Sequence, residues 1–363
     1  MNKKIRLEYL DSVRGIAALM VVFYHFIGWQ RDGDIAYNLA SMIFNGSDAV
    51  SFFFVLSGFV LSYQYFRFAD RTLHLPQYVY KRILRLYPAF IFTVLINYLY
   101  WHRNKLGWPV IEDIFFYNEH LLWEELLMVG RKHQYYIPGW TLSVEMVLSL
   151  WMPLFILLAK KNIKYIFLLL PIGILLGFWK SVFTYFVHFG LGTLLAYYYP
   201  QIRYYDFSKH RLYKFRYVAA FLVFLLFSIR HLDRLFDFGK QYDDIAEMLG
   251  IDFFFFTAFA SFLILIWIIN QPKTQDFLHH QWLVFLGKIS YGIYLMHWLI
   301  VVYIMENWKH WDIYFTNSTV KFLTLLFITL IATILSGTFV YYFIEKPFIR
   351  FAKTRFWWQF WLK

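Results

Sequence analysis

The sequence has no cysteine, so a disulfide framework, a thiolate nucleophile and a sulfur-ligated metal are all excluded. Charge is scarce as well: 16% of the 363 residues are Asp, Glu, Lys or Arg, against 60% hydrophobic and 24% aromatic. A water-soluble chain of this length cannot hide that much apolar surface, which leaves lipid as the main solvent. There is no glycine-rich phosphate loop and no GxSxG elbow. The histidines are scattered without close ligand spacing, so no metal is expected. No internal repeat is visible, which disfavours transporter folds built from repeated halves.

What the chain has instead is a succession of apolar runs near the twenty residues needed to cross the hydrocarbon. Ten fall at about 13–29, 48–66, 79–101, 140–158, 163–179, 181–199, 214–230, 250–270, 283–304 and 319–344, with a hairpin at Lys180 and a short seventh run. The longest breaks, 102–139 and 231–249, are loop-sized, so residues 1–363 are expected to form a single membrane domain. The first run follows a basic "MNKK" but lacks a small-residue cleavage site, and it is expected to stay in the protein. With the N-terminus in the cytoplasm, most Lys and Arg fall in cytoplasmic segments, from Lys3 and Lys4 to Arg350 and Lys353. The fold class is therefore an all-α polytopic membrane protein with about ten transmembrane helices and both termini cytoplasmic. The formal charge of +12 reads as an orientation signal, and nucleic acid is not an expected partner.

Several polar residues stand where lipid penalises them. An ionisable side chain near the bilayer centre costs about 2.5–3.5 kcal/mol on insertion scales, so each needs a partner or a polar cavity. In "LDSVRGIAALMVVFYHF" (10–26), Asp11 precedes Arg14 by three positions, and His25 follows Arg14 by eleven, nearly three turns. One helix face thus carries an ion pair and, about 16 Å further on, an imidazole. A snorkelling arginine with a satisfied core histidine is the plainer reading. "GSDAVSFFFVLSGFVLS" (46–62) places Asp48 at the outer mouth and Ser57 and Gly58 mid-membrane, where small residues serve close helix packing. "KRILRLYPAF" (81–90) aligns Arg82 and Arg85, suited either to phosphate oxygens or to lipid headgroups.

"PGWTLSVEMVL" (138–148) carries Trp140, Ser143 and Glu145. If Trp140 and Trp29 both mark the outer interface, Glu145 and His25 share a depth, and the carboxylate can orient the imidazole as a general base. Two unrelated polar residues in separate cavities fit equally. In "GKISYGIYLMHWLIV" (287–301), Ser290, Tyr294 and His297 form one polar face, with a hydrogen-bonded core role expected for His297. "YYFIEKPFIR" (341–350) reads as a cytoplasmic helix end with a proline stop. The tripeptides at Asn45 and Asn317 fit the glycosylation pattern on the outer side.

Taken in order, these stretches, with "FGLGTLLA" and "FIEKPF", resemble the acyltransferase-3 family of integral membrane O-acyltransferases from residue 10 to about 350. The resemblance implies a ten-helix enzyme of the bacterial cytoplasmic membrane. Its donor would be cytoplasmic acyl-CoA, usually acetyl-CoA, and its acceptor a hydroxyl on an envelope glycan or another molecule beyond the membrane. It implies Arg14 and His25 as the essential pair, with His25 at the catalytic centre as base or acyl carrier. Arg82 and Arg85 would contact CoA, and Glu145 would be the acid of the Trp-Thr-Leu-Ser-Val-Glu motif. Ser57 and Gly58 match the second-helix motif. The chain departs from the pattern at Met296 and Leu299, where tryptophan and proline are frequent, and a stand-alone member without the esterase-like domain fused to some relatives is expected. The rival readings are a non-enzymatic carrier of an envelope precursor and a glycan polymerase.

Overall fold

The computed structural model describes residues 7–31, 35–67, 73–103, 120–128, 133–177, 181–236 and 253–353. The Lys180 turn and the basic residues Lys3, Lys4 and Arg6 lie outside them. Among the described residues there is no strand. The principal helices are α1 (Glu8–Arg31), α2 (Gly46–Arg67), α3 (Leu75–Trp101), α4 (Gly139–Lys161), α5 (Lys164–Gly177), α6 (Phe186–Tyr197) and α7 (Arg216–Phe227). They are followed by α8 (Ile229–Phe236), α9 (Phe253–Asn270), α10 (Pro272–Leu278), α11 (Gln281–Glu306), α12 (Ser318–Val340) and α13 (Lys346–Phe351).

Within the described residues, each of the ten expected apolar runs is mainly helical. Among the described residues, six helical stretches are long and apolar enough to cross a membrane, and a seventh if α9 and α10 count as one broken span. The runs at α5, α6 and α7 fall short because each ends after three or four turns. α9 and α10 meet at 92°. The bend sits at Gln271–Pro272, where proline has no N–H to donate the helix's next hydrogen bond. Side-chain amides take up the carbonyls left there, with Gln275 Nε2 donating to Ile268 O and Ile269 O.

The described residues divide into two compact units, within 1–73 and 147–284 and within 74–146 and 285–363. In the first, α2 and α6 run in parallel, because Phe54 meets His188, Ser62 meets Thr193 and Phe66 meets Tyr197 in ascending order. Gly58 and Gly192 make that approach possible: a Cβ on Gly58 would strike the Phe189 backbone, and one on Gly192 the Val55 carbonyl. Without a hydrophobic drive between helices in lipid, such small-residue contact is what van der Waals packing requires. The packing role expected for Gly58 is thus observed. In the second unit Gly292 and Gly337 bring α11 and α12 together in the same way.

Two expectations give way here. The proline of "FIEKPF" does not stop the helix: α12 runs through a π-helical turn, Tyr341–Glu345, into α13, with Pro347 in α13's first turn. Proline is tolerated there because its missing N–H falls where the widened turn has already broken the regular ladder. Asn45 is no glycosylation acceptor in the fold. It is fully buried, and its Nδ2 donates to Phe227 O. Asn317 is exposed and accepts from Thr319 N and Val320 N as the N-cap of α12.

Candidate functional site

In the first unit, α1 is one uninterrupted helix, so Asp11, Arg14 and His25 do share its stripe. Arg14 Nη1 donates to Asp11 Oδ1 at 3.2 Å, both side chains being mostly covered. The ring of His25 stands edge-on to Tyr24, and Tyr24 in turn meets the His231 ring of α8 at 6.0 Å. His231 Nε2 pairs with Asn45 Oδ1 at 3.1 Å, and the same oxygen accepts from Asp48 N at 3.0 Å. Asp48 is fully buried, and its carboxylate lies 3.7 Å from Arg230 Nη2. Arg230 covers the Phe254 ring at 4.0 Å. A chain of polar contacts therefore leads from the end of α1 carrying His25 to a buried ion pair. Ser57 is half-buried on α2 beside Gly58.

Arg230, His231 and Asn45 were not among the residues expected from sequence. Arg230 and His231 sit at the close of an apolar run and read there as an ordinary boundary. The usable signal was a buried acid, Asp48, in need of a cation.

In the second unit, Arg82 Nη2 donates to Glu145 Oε1 at 2.6 Å. Arg82 is buried, with its Nε making no hydrogen bond, while Arg85 on the same helix is exposed. Glu145 has Arg82 as a partner in this unit. Tyr135 packs on Tyr98 and Tyr136 on Phe90, so the segment before α4 descends along α3 and α4 begins level with α3's middle. Trp140 therefore lies alongside α3's span, and Glu145, about a turn and a half on, reaches Arg82 near α3's start.

Thr141, one turn above Glu145, shares a 2.6 Å hydrogen bond with the Tyr294 hydroxyl. Tyr136 Oη donates to Tyr294 O at 2.8 Å, and Tyr291 Oη to Leu86 O at 2.8 Å. His297 Nδ1 donates to the Tyr294 carbonyl of its own helix, as a core histidine does, and Ser290 Oγ to Gly287 O at 2.9 Å. The expected polar face of α11 is real: Tyr291 and Tyr294 fasten α3 and α4, while Ser290 and His297 bond locally.

Ser143 turns away from Glu145 and bonds His133 Nε2 at 3.2 Å. Behind it, the fully buried Glu125 accepts the backbone N–H groups of Gln134, Tyr135 and Tyr136 at 3.1, 3.1 and 2.7 Å. Three amide donors on one carboxylate hold the descending segment in place. Nothing in the spacing marked Glu125, because its partners are main-chain groups. Among the described residues no three His, Cys, Asp or Glu side chains cluster as metal ligands do.

The comparisons with known proteins agree with the resemblance noted in the sequence. A family model described as an acyltransferase domain matches residues 7–342. A Staphylococcus aureus (strain COL) protein, provisionally named an O-acetyltransferase, is 23% identical over 388 residues, covering 95% of this chain and 58% of its own length. The peptidoglycan O-acetyltransferase OatA of Listeria monocytogenes is 27% identical over 333 residues, covering 80% of this chain and 49% of its own. The chain thus spans about half the length of these curated relatives. No solved structure matches. With the model match running from the first turn of α1 into the π-helical turn after α12, the chain belongs to the acyltransferase-3 family of membrane acyltransferases.

Proposed function

We propose that the chain is a membrane O-acetyltransferase of the bacterial cytoplasmic membrane, one domain of ten spans with both termini in the cytoplasm. It would take an acetyl group from cytoplasmic acetyl-CoA and pass it to a hydroxyl beyond the membrane. The observation that carries this reading is the stripe on α1, where one rigid helix sets the Asp11–Arg14 pair below an imidazole on the same face. Ionisable groups on a spanning segment are costly, and their alignment suits a path for a polar substrate. In the direct form of the reaction, His25 removes the acceptor hydroxyl proton as the oxygen attacks the thioester carbonyl. The C–O bond forms, the C–S bond breaks, and the proton passes on to the departing thiolate. In the covalent form, His25 itself holds the acetyl group between the two transfers.

For the donor we assign Arg82 and Arg85. Arg85 is exposed and can meet phosphate oxygens, while Glu145 holds the buried Arg82 guanidinium one turn away. The Listeria relative's name makes a peptidoglycan glycan the first acceptor to try. The test uses purified protein in vesicles with labelled acetyl-CoA outside the cytoplasmic face excluded. Label on the saccharide with stoichiometric CoA release supports the reading. Saccharide movement or chain growth without CoA release would instead favour the carrier or polymerase. Within that assay, Arg85→Ala should raise KM for acetyl-CoA about tenfold, the loss of one charge-assisted hydrogen bond, and leave the acceptor KM unchanged. Equal change in both would reduce Arg85 to a topological role.

A further inference from the structure

The arm formed by α12, the π-helical turn and α13 carries a groove of about 570 Å³, a volume in the range of small-molecule sites. Its wall is built by Leu335, Phe339 and Phe343, and its end by Tyr342, Lys346 and Arg350. The π turn inserts one residue into the helical count, which keeps Phe339, Tyr342, Lys346 and Arg350 in register along one face across Pro347.

The groove opens outward. Leu335 is 65% exposed and Phe343 70%, far more than a spanning helix leaves bare against protein. In a chain that spans the membrane, such residues face acyl chains. From Leu335 to Lys346 is eleven residues, or about 16 Å of helix, close to one leaflet's share of the hydrocarbon core. Apolar wall and basic end are thus spaced as the tail and headgroup of one lipid are.

The charge fixes which lipid. Among the described residues Lys346 Nζ makes only ring contacts, 4.5 Å from the Tyr342 centroid and 6.0 Å from that of Tyr341. Arg350 is exposed, and its guanidinium has neither hydrogen bond nor ion pair among the described residues. The nearest acid in sequence, Glu345, is buried and does not line the groove. Among the described residues, these two cations stand at the end of an apolar slot with no carboxylate paired to them.

We infer that this groove binds one anionic phospholipid, its phosphate held between Lys346 and Arg350 and an acyl chain lying along Leu335, Phe339 and Phe343. The cation–π contact with Tyr342 holds the lysine at the rim. The site rests only on the α12–α13 arm and is independent of the acyl-transfer reading.

Native mass spectrometry of the full chain, released from vesicles of mixed phosphatidylglycerol and phosphatidylcholine with matched tails, tests it. The wild type should keep one phosphatidylglycerol in preference to phosphatidylcholine. Lys346→Gln with Arg350→Gln should cut that preference about thirtyfold, two near-surface charges acting together. Leu335→Trp, which fills the slot and leaves both charges, should lose the lipid as well. All three positions lie on the surface, so the variants can be compared at equal folded yield. Equal retention of the two lipids by the wild type would overturn the site. So would retention by the charge variant, or complete displacement by millimolar inorganic phosphate or acetyl-CoA, which would mark a free-phosphate site instead.

Discussion

His25→Ala should lower acetyl transfer by about two to four orders of magnitude, the range a positioned general base contributes. Donor binding should be left intact. The expectation follows from where the ring stands. His25 is in the fifth turn of α1, with Tyr24 beside it and the His231–Asn45–Asp48–Arg230 chain beyond. Alanine is a strong helix former and keeps α1 intact. The measurement is initial-rate transfer in vesicles, with acetyl-CoA affinity read separately. Transfer within tenfold of wild type, in correctly inserted protein, would remove His25 from the chemistry. A base and an acyl carrier are separable in the same experiment. A base variant recovers rate as hydroxide replaces the missing imidazole at high pH, whereas a carrier variant loses acetyl–enzyme exchange at every pH.

How much of this was readable before the structure depends on how far apart in sequence the partners lie. The helices were legible because apolar length is a local property, and within the described residues each expected run is mainly helical. The Asp11–Arg14 pair was legible because three residues apart on a helix means adjacent in space. The packing role of Gly58 followed from the same logic, although its opposing backbone at Phe189 did not. Partners on distant helices were invisible: Asp48 with Arg230, Glu145 with Arg82, and Glu125 with three main-chain amides. The start of α4 partway along α3 was not legible either, because it follows from the packing of Tyr135 on Tyr98 and Tyr136 on Phe90. Pro347 misled, since a π-helical turn before it removes the hydrogen bond that proline would break.

The Arg82–Glu145 pair should behave as a buried ion pair whose halves are worth less than their sum. Removing one partner of such a pair leaves an uncompensated charge and costs about 3–5 kcal/mol. Arg82 is 7% exposed and Glu145 20%, so some water reaches the acid and the lower end applies to Arg82→Met. For a chain of this size that cost should appear as a fall in thermal midpoint of roughly 5 °C. Arg82→Lys should fall between, because an ammonium keeps the charge but not the guanidinium fork. The double variant Arg82→Met with Glu145→Met removes both charges from the low-dielectric interior and should recover most of the midpoint, apolar replacements being close to neutral at such sites. Donor affinity should not recover with it. If the pair were present only to hold α3 against α4, the double variant would bind acetyl-CoA as the wild type does; if Glu145 holds Arg82 ready for a phosphate, the restored fold should remain a poor donor site. Reading stability and acetyl-CoA binding on the same three variants separates the two roles, because only the second leaves the double variant stable and weak at once.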